Sequence, residues 1–157
     1  MNDEYTYTPT RDEIACARVV AEIRNSTGSG SNLPTETATE EELLEQHFRS
    51  CVAEIAVSRT FNLCWTGCGP QEIDVGNIYE VRSVRSMRHG LLVRARDKDD
   101  FPIVLVHVDP QYRCTLIGWH MIGKVKKRGK QVGGSHPYWL MTQDQLLPMT
   151  DAGLMVA

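Results

Sequence analysis

The chain contains no apolar run near the roughly 18 residues that a membrane-spanning helix needs, and Met1-Asn2-Asp3-Glu4 lacks the basic-then-apolar order of a signal peptide. The expectation is a cytoplasmic protein with no membrane partner. No C-x-x-C occurs either. The five cysteines (Cys16, Cys51, Cys64, Cys68, Cys114) leave one over after pairing, so free, buried thiols are expected rather than a disulfide framework. Cys64 and Cys68 lack the second ligand pair that would join them to His47, His89 or His107 around zinc. The glycines at 67, 69, 76, 133 and 134 do not form a phosphate-cradling loop between a strand and a helix, which argues against an ATP or dinucleotide site. Aromatic residues make up only 7% of the chain, and the formal charge of −3 offers no global lure for nucleic acid. There is no internal repeat at a period of about 20 to 50 residues.

What remains is ordinary globular material: 157 residues, 41% hydrophobic and 24% charged, enough for one domain. The charge is unevenly laid. Residues 1–48 carry 3 basic and 10 acidic side chains, and residues 49–157 carry 14 and 10, so an acidic front precedes a mildly basic body.

Thr10 and Glu13 form a capping-box pattern, and Ile14, Ala17, Val20 and Ala21 follow at helical spacing, predicting a helix that stops near Asn25. Ser26 to Asn32 reads as a flexible connector, which residues 34–39 extend. Thr39 then caps a longer helix reaching about Phe61, with Glu40, Glu41 and Glu42 at its positive end. This divides the chain into an N-terminal helix with an acidic linker, residues 1–39, and a single α/β domain, residues 40–157. Glu54 interrupts the small, apolar stretch Cys51-Val-Ala-Glu-Ile-Ala-Val57, so it is either turned to solvent or held in a site.

From Gly67 onward, β-branched segments alternate with turn signals. Strands are expected at Ile78–Val84, Leu91–Arg96, Ile103–Val108 and Arg113–Trp119, joined as an antiparallel meander, with a last short strand at Tyr138–Met141. The whole reads as α+β, one sheet flanked by helices.

The chemistry concentrates in Ile73-Asp-Val-Gly-Asn-Ile-Tyr-Glu-Val-Arg82. Glu80 and Arg82 lie two apart on a strand and therefore on one face, and Asp74 reaches the same region from the strand's beginning. Joined by Glu54, these carboxylates make an oxygen-rich set suited to Mg²⁺ or Mn²⁺. The plainer alternative is a same-face ion pair of Glu80 with Arg82, worth at most about 1 kcal/mol, and a turn residue at Asp74. If the site forms, the carboxylates should converge across a helix-to-strand groove, and at least one should hold its proton above the usual range.

The segments Ala53-Glu-Ile-Ala-Val57, Phe61-Asn-Leu-Cys-Trp65, Asp74-Val-Gly76, Tyr79-Glu-Val-Arg-Ser83, Leu91-Leu-Val-Arg94, Val104-Leu-Val106 and Gly118-Trp119 carry a resemblance. In their order they resemble small bacteriophage and prophage proteins of the PD-(D/E)xK nuclease-like superfamily, over most of the chain. The resemblance implies a mixed α/β, restriction-endonuclease-like core: a central mixed sheet flanked by helices in the order helix, three strands, helix, strand, here with an extra N-terminal helix. It implies metal-dependent hydrolysis of DNA phosphodiesters, with Glu54, Asp74 and Glu80 as catalytic metal ligands for Mg²⁺ or Mn²⁺. Arg82 stands where the family has lysine. Arginine stays protonated and cannot act as a base, but it can clamp a phosphate at two points. The alternative is a catalytically inactive nuclease-fold protein of phage origin, in a bacterial cytoplasm, that binds nucleic acid, a host protein or a second copy of itself.

The arginines at 82, 85, 88, 94 and 96 are expected either to contact phosphate, Arg85 and Arg88 foremost, or to form a solvated sheet edge. Lys124, Lys126, Lys127 and Arg128 are expected to contact phosphate, with a mobile solvated loop as the alternative. Trp65, Trp119 and Trp139 are expected to serve packing. His47 and His120 are expected to be structural.

Overall fold

The computed structural model describes residues 5–27, 38–67 and 73–152. The connector expected over residues 28–37 lies outside these, as does Cys68. The elements are β1 (Thr6–Tyr7), α1 (Arg11–Ser26), α2 (Glu40–Thr60), β2 (Glu80–Val84), β3 (Leu91–Arg94), β4 (Pro102–Val108), β5 (Cys114–Met121), α3 (Ile122–Arg128), β6 (Lys130–Val132), β7 (Tyr138–Met141) and α4 (Met149–Ala152), with a 3₁₀ turn at Gln143–Gln145 before α4. This is a mixed α+β architecture.

Both long helices begin as their sequences dictate. The hydroxyls of Thr10 and Thr39 accept from the backbone N–H of Glu13 and Glu42, and each glutamate accepts in return from the capping residue's own N–H. Two otherwise orphaned donors are satisfied at each end. α1 packs on α2 through Ala17 and Ala21, whose small side chains are fully buried. Arg59 donates to Glu13 at 2.7 Å, and the Arg18 guanidinium lies 4.3 Å from the centre of the Phe48 ring. α1 therefore shares one core with α2 and the larger sheet.

The expected meander is replaced by two sheets. One has the order β1-β5-β4-β2, in which β4 pairs antiparallel with β5 but parallel with β2; the other is an antiparallel β3-β7-β6. The reason lies in β4. Residues 102–106 are buried on both faces, so each face needs its own cover. Val104, Val106 and Val108 join the core under α1 and α2, while Ile103 and Leu105 join Leu91, Val93, Ile122, Val125 and Met141 in a second core. β3 carries the chain back in that second layer, so β2 and β4 run in the same direction. Gly90 fixes the departure, since a Cβ there would stand 2.4 Å from the Met141 carbonyl oxygen. The basic run 124–128 is the helix α3, anchored by Ile122 and Val125.

Because Leu105 seals the second core from the central strand, Leu105→Ala should destabilise the protein by about 2–5 kcal/mol. Thr39→Ala, which removes only a cap, should cost about 1 kcal/mol. Urea unfolding at neutral pH measures both, and equal losses would contradict the two-core arrangement.

Candidate functional site

The segment before β2 forms a tight loop. The Val75 N–H donates to the Tyr79 carbonyl at 3.0 Å, and Ile78 and Tyr79 donate back to the Val75 carbonyl. Gly76 and Asn77 take positive φ values of 58° and 55°, the left-handed conformation that glycine and asparagine adopt at least cost. Gly76 also donates to the Cys64 carbonyl, tying the loop to the segment after α2. The loop turns Asp74 back onto the strand, where its Oδ2 accepts the Val81 N–H at 2.8 Å.

Asp74 and Glu80 share a side-chain hydrogen bond. Burial, then the Glu80 charge, push Asp74 up from an ordinary 3.8 to about 7, against the pull of the Val81 N–H and Arg82. Burial also raises Glu80. Arg82 donates through Nη2 to Asp97 Oδ2 at 2.7 Å and more weakly through Nη1 to the Val81 carbonyl at 3.3 Å; its buried Nε has no hydrogen-bond partner. Asp97, whose Oδ2 also accepts the Arg94 N–H, holds the arginine in place.

Glu54 is nearly inaccessible, with both oxygens taken. Arg24, from α1, donates to Oε1 and Oε2 at 2.9 and 3.0 Å, and the Trp65 indole N–H donates to Oε2 at 2.7 Å. Burial and the Asp74 charge push Glu54 up from 4.5 to about 7, while Arg24 and Trp65 pull the other way. Arg24 is raised above its usual value because its pairing with Glu54 overcomes its own burial.

The four residues proposed from sequence are neighbours. The β2–β4 register pairs Glu80 with Ile103 and Arg82 with Leu105, which places both on the face turned to the second core. Glu54 projects from α2, which covers the face carrying Val81, Val104 and Val106. Asp74 sits at the end of β2 between them and is electrostatically coupled to Glu54 on one side and Glu80 on the other. Glu80 thus stands on a strand position turned to the second core and Glu54 comes from the helical layer, yet the two carboxylates are coupled to each other as well as to Asp74. Among the described residues, no three His, Cys, Asp or Glu side chains are grouped to hold a metal ion. The donor chemistry fits a hard cation at Asp74 and Glu80, since two carboxylates suffice for Mg²⁺ when water and phosphate complete its shell. Glu54, as it stands, offers such an ion no oxygen.

Asp74 also lines an open groove of about 520 Å³, together with Asn77, Thr66, Phe101 and Lys98. Nothing in the local sequence marks Lys98 for this groove, or Arg24, Trp65 and Asp97 as partners of the acids and Arg82. The interrupted apolar stretch around Glu54 was the one signal that a buried counter-charge was required.

The remaining basic candidates disperse. Arg85 lies just beyond β2, Arg88 in the following turn, Arg94 at the end of β3 and Arg96 in the next turn; Arg94 is repelled by Arg96 and Arg82, which lie near it. In α3, Lys124, Lys127 and Arg128 are exposed. Lys126 instead donates to the carbonyls of Ala95 and Asp97, at 3.1 and 2.6 Å, and to Asp99 at 2.5 Å, fixing the 95–99 turn. Cys51 and Cys114 are buried and free, whereas Cys16 and Cys64 are free but exposed. His47 and His120 are buried, and burial lowers the pKa of both.

Comparison of the chain with protein-family models, with curated proteins and with solved structures finds no match.

The acids generate a pH signature. Asp74 and Glu54 bind a proton more tightly folded than unfolded, so their stabilisation is complete below about 4 and is lost as pH rises through about 7. The urea midpoint in metal-free buffer should decrease as pH rises from about 4.5 to about 7.5. Asp74→Asn, which keeps an acceptor for Val81, should flatten the slope. An unchanged slope in the variant would place the titrating groups elsewhere.

Proposed function

We propose that this protein hydrolyses DNA phosphodiesters at the Asp74–Glu80 pair with the help of Mg²⁺ or Mn²⁺. The observation that carries the reading is the hydrogen-bonded crowding of these two carboxylates, both with raised proton affinities, where Asp74 lines a groove that Lys98 also lines. A divalent ion bound at such a pair would polarise the phosphoryl oxygen and acidify water.

The chain's own residues supply the rest. With the ion held by Asp74 and Glu80, its acidified water would supply the nucleophile, since Arg82 cannot serve as a base. Arg82 contributes a fixed positive charge beside the acids, oriented by Asp97. Lys98 is available to hold a phosphate entering the groove. Glu54, locked by Arg24 and Trp65, acts at a distance, its charge raising the proton affinity of Glu80 and its ion pair fixing α1 against α2.

A second reading has one observation in its favour: Arg24 already supplies a cation to Glu54. On that reading the protein keeps the resemblance without the reaction and binds nucleic acid or a host protein.

Incubation with single-stranded, double-stranded and branched DNA in Mn²⁺ separates the two. Hydrolysis by the native chain, reduced about 100-fold or more in Asp74→Asn, is expected, together with a Mn²⁺-dependent rise in Tm that the variant lacks. Absence of both effects in the correctly folded native protein would leave the binding reading.

A further inference from the structure

At the other end of β2 lies a second cavity, of about 300 Å³, open to solvent and lined by Arg49 and Glu45 of α2, Arg85, and Asp109 and Tyr112 of the β4–β5 turn. Arg49 is unusual. Its Nε is buried without a hydrogen-bond partner, and among the described residues no carboxylate forms an ion pair with it. Glu45, one helical turn earlier at the spacing that normally pairs such residues, attracts Arg49 less strongly than Arg85 repels it. Asp109 is engaged elsewhere, its Oδ1 accepting the Gln111 and Arg113 N–H groups at 2.8 and 2.9 Å. A half-buried guanidinium facing a second guanidinium, with its Nε unsatisfied, lacks an anion.

The chemistry of that anion follows from the donors. Two planar forks directed at one space suit a tetrahedral oxyanion, to which each can donate twice. The turn around the cavity is held by its own bonds: Tyr112 takes a φ of +64°, donates its N–H to the Asp109 carbonyl at 2.9 Å, and sets its ring edge-on to Phe48 at 4.9 Å. The exposed Arg88 follows three residues after Arg85, so positive charge continues outward from the cavity.

We propose that the Arg49–Arg85 cavity binds a backbone phosphate of the DNA strand whose hydrolysis is assigned above to Asp74 and Glu80. This rests on the hydrolytic reading for the identity of the strand, not for the existence of the anion site. Arg85 lies five residue steps from Glu80, just past the end of β2, roughly 16 Å along the strand direction. A duplex strand, presenting one phosphate per about 3.4 Å of axis, covers that in about five nucleotides. The cavity is therefore a remote positioning site: it binds phosphate without touching the reacting atoms.

The test measures binding separately from cleavage. Fluorescence anisotropy of a labelled 16-nucleotide DNA, single- or double-stranded (about three times the five-nucleotide span), is followed without divalent metal in native protein, Arg49→Met, Arg85→Ala and Glu45→Gln. Arg49→Met and Arg85→Ala should each weaken binding roughly tenfold or more, and should lower the slope of log K against log salt by about one, because one phosphate contact is lost. Their effects should not add, since both address the same phosphate. Glu45→Gln should tighten binding. Arg49→Met should leave Tm unchanged or raised, because it removes an uncompensated buried charge, and that separates lost binding from lost folding. Affinity and salt slope unchanged in both arginine variants would overturn the proposal. Native protein that binds no DNA, yet whose Tm rises with inorganic phosphate only when Arg49 is present, would overturn the DNA assignment. Arginine-dependent binding by a native protein that does not cleave would uphold the site while the hydrolytic reading fails.

Discussion

The structure depends on β4 being buried on both faces. A strand with water on one side needs a single cover, and the chain could then have run as a meander. Ile103-Val-Leu-Val106 instead demands a layer on either side, and the order of the remaining elements follows. α1 and α2 cover one face; β3, β7 and α3 cover the other. β2 becomes the parallel edge strand, and it begins where neither layer closes completely over it. That is where Asp74, Glu80 and Arg82 gather.

The second organising interaction is electrostatic. Glu54 is a carboxylate inside the helical layer, and its desolvation is offset by a bidentate arginine and an indole donor brought from two other parts of the chain. Arg24 can reach it only when α1 lies along α2 at the separation that Ala17 and Ala21 permit. The buried acid thus specifies how the first helix docks, and it draws Trp65 and the loop leading to Asp74 toward the same point. The acids of the helical layer and of β2 are coupled through this arrangement.

Local features were legible in the sequence. Thr10 and Thr39 announce their helices because a cap involves residues three apart, and the strand segments near 80, 91, 103 and 114 are marked by β-branched residues between turns. Strand partnership was not legible. Whether β3 pairs with β2 or with β7 depends on the two-sided burial of β4, a property of distant segments together. The acids of the site could be picked out because Glu54 violates an apolar run and Asp74-Val-Gly-Asn77 is a turn before a strand. Their counter-charges could not: Arg24 is 30 residues from Glu54, and Asp97 is 15 from Arg82. Nothing local distinguishes these from other surface charges. Lys126 illustrates the converse, since a lysine in a basic run reads as free and is in fact spent on two carbonyls and Asp99.

Asp74 occupies a position whose meaning extends beyond chemistry. By accepting the Val81 N–H it satisfies a donor in the edge strand of the larger sheet. Unsatisfied edge donors recruit strands from other chains. The carboxylate therefore shields the sheet against self-association as well as facing the groove. A demand for solubility alone would keep an oxygen acceptor at this position, one that asparagine could meet and alanine could not.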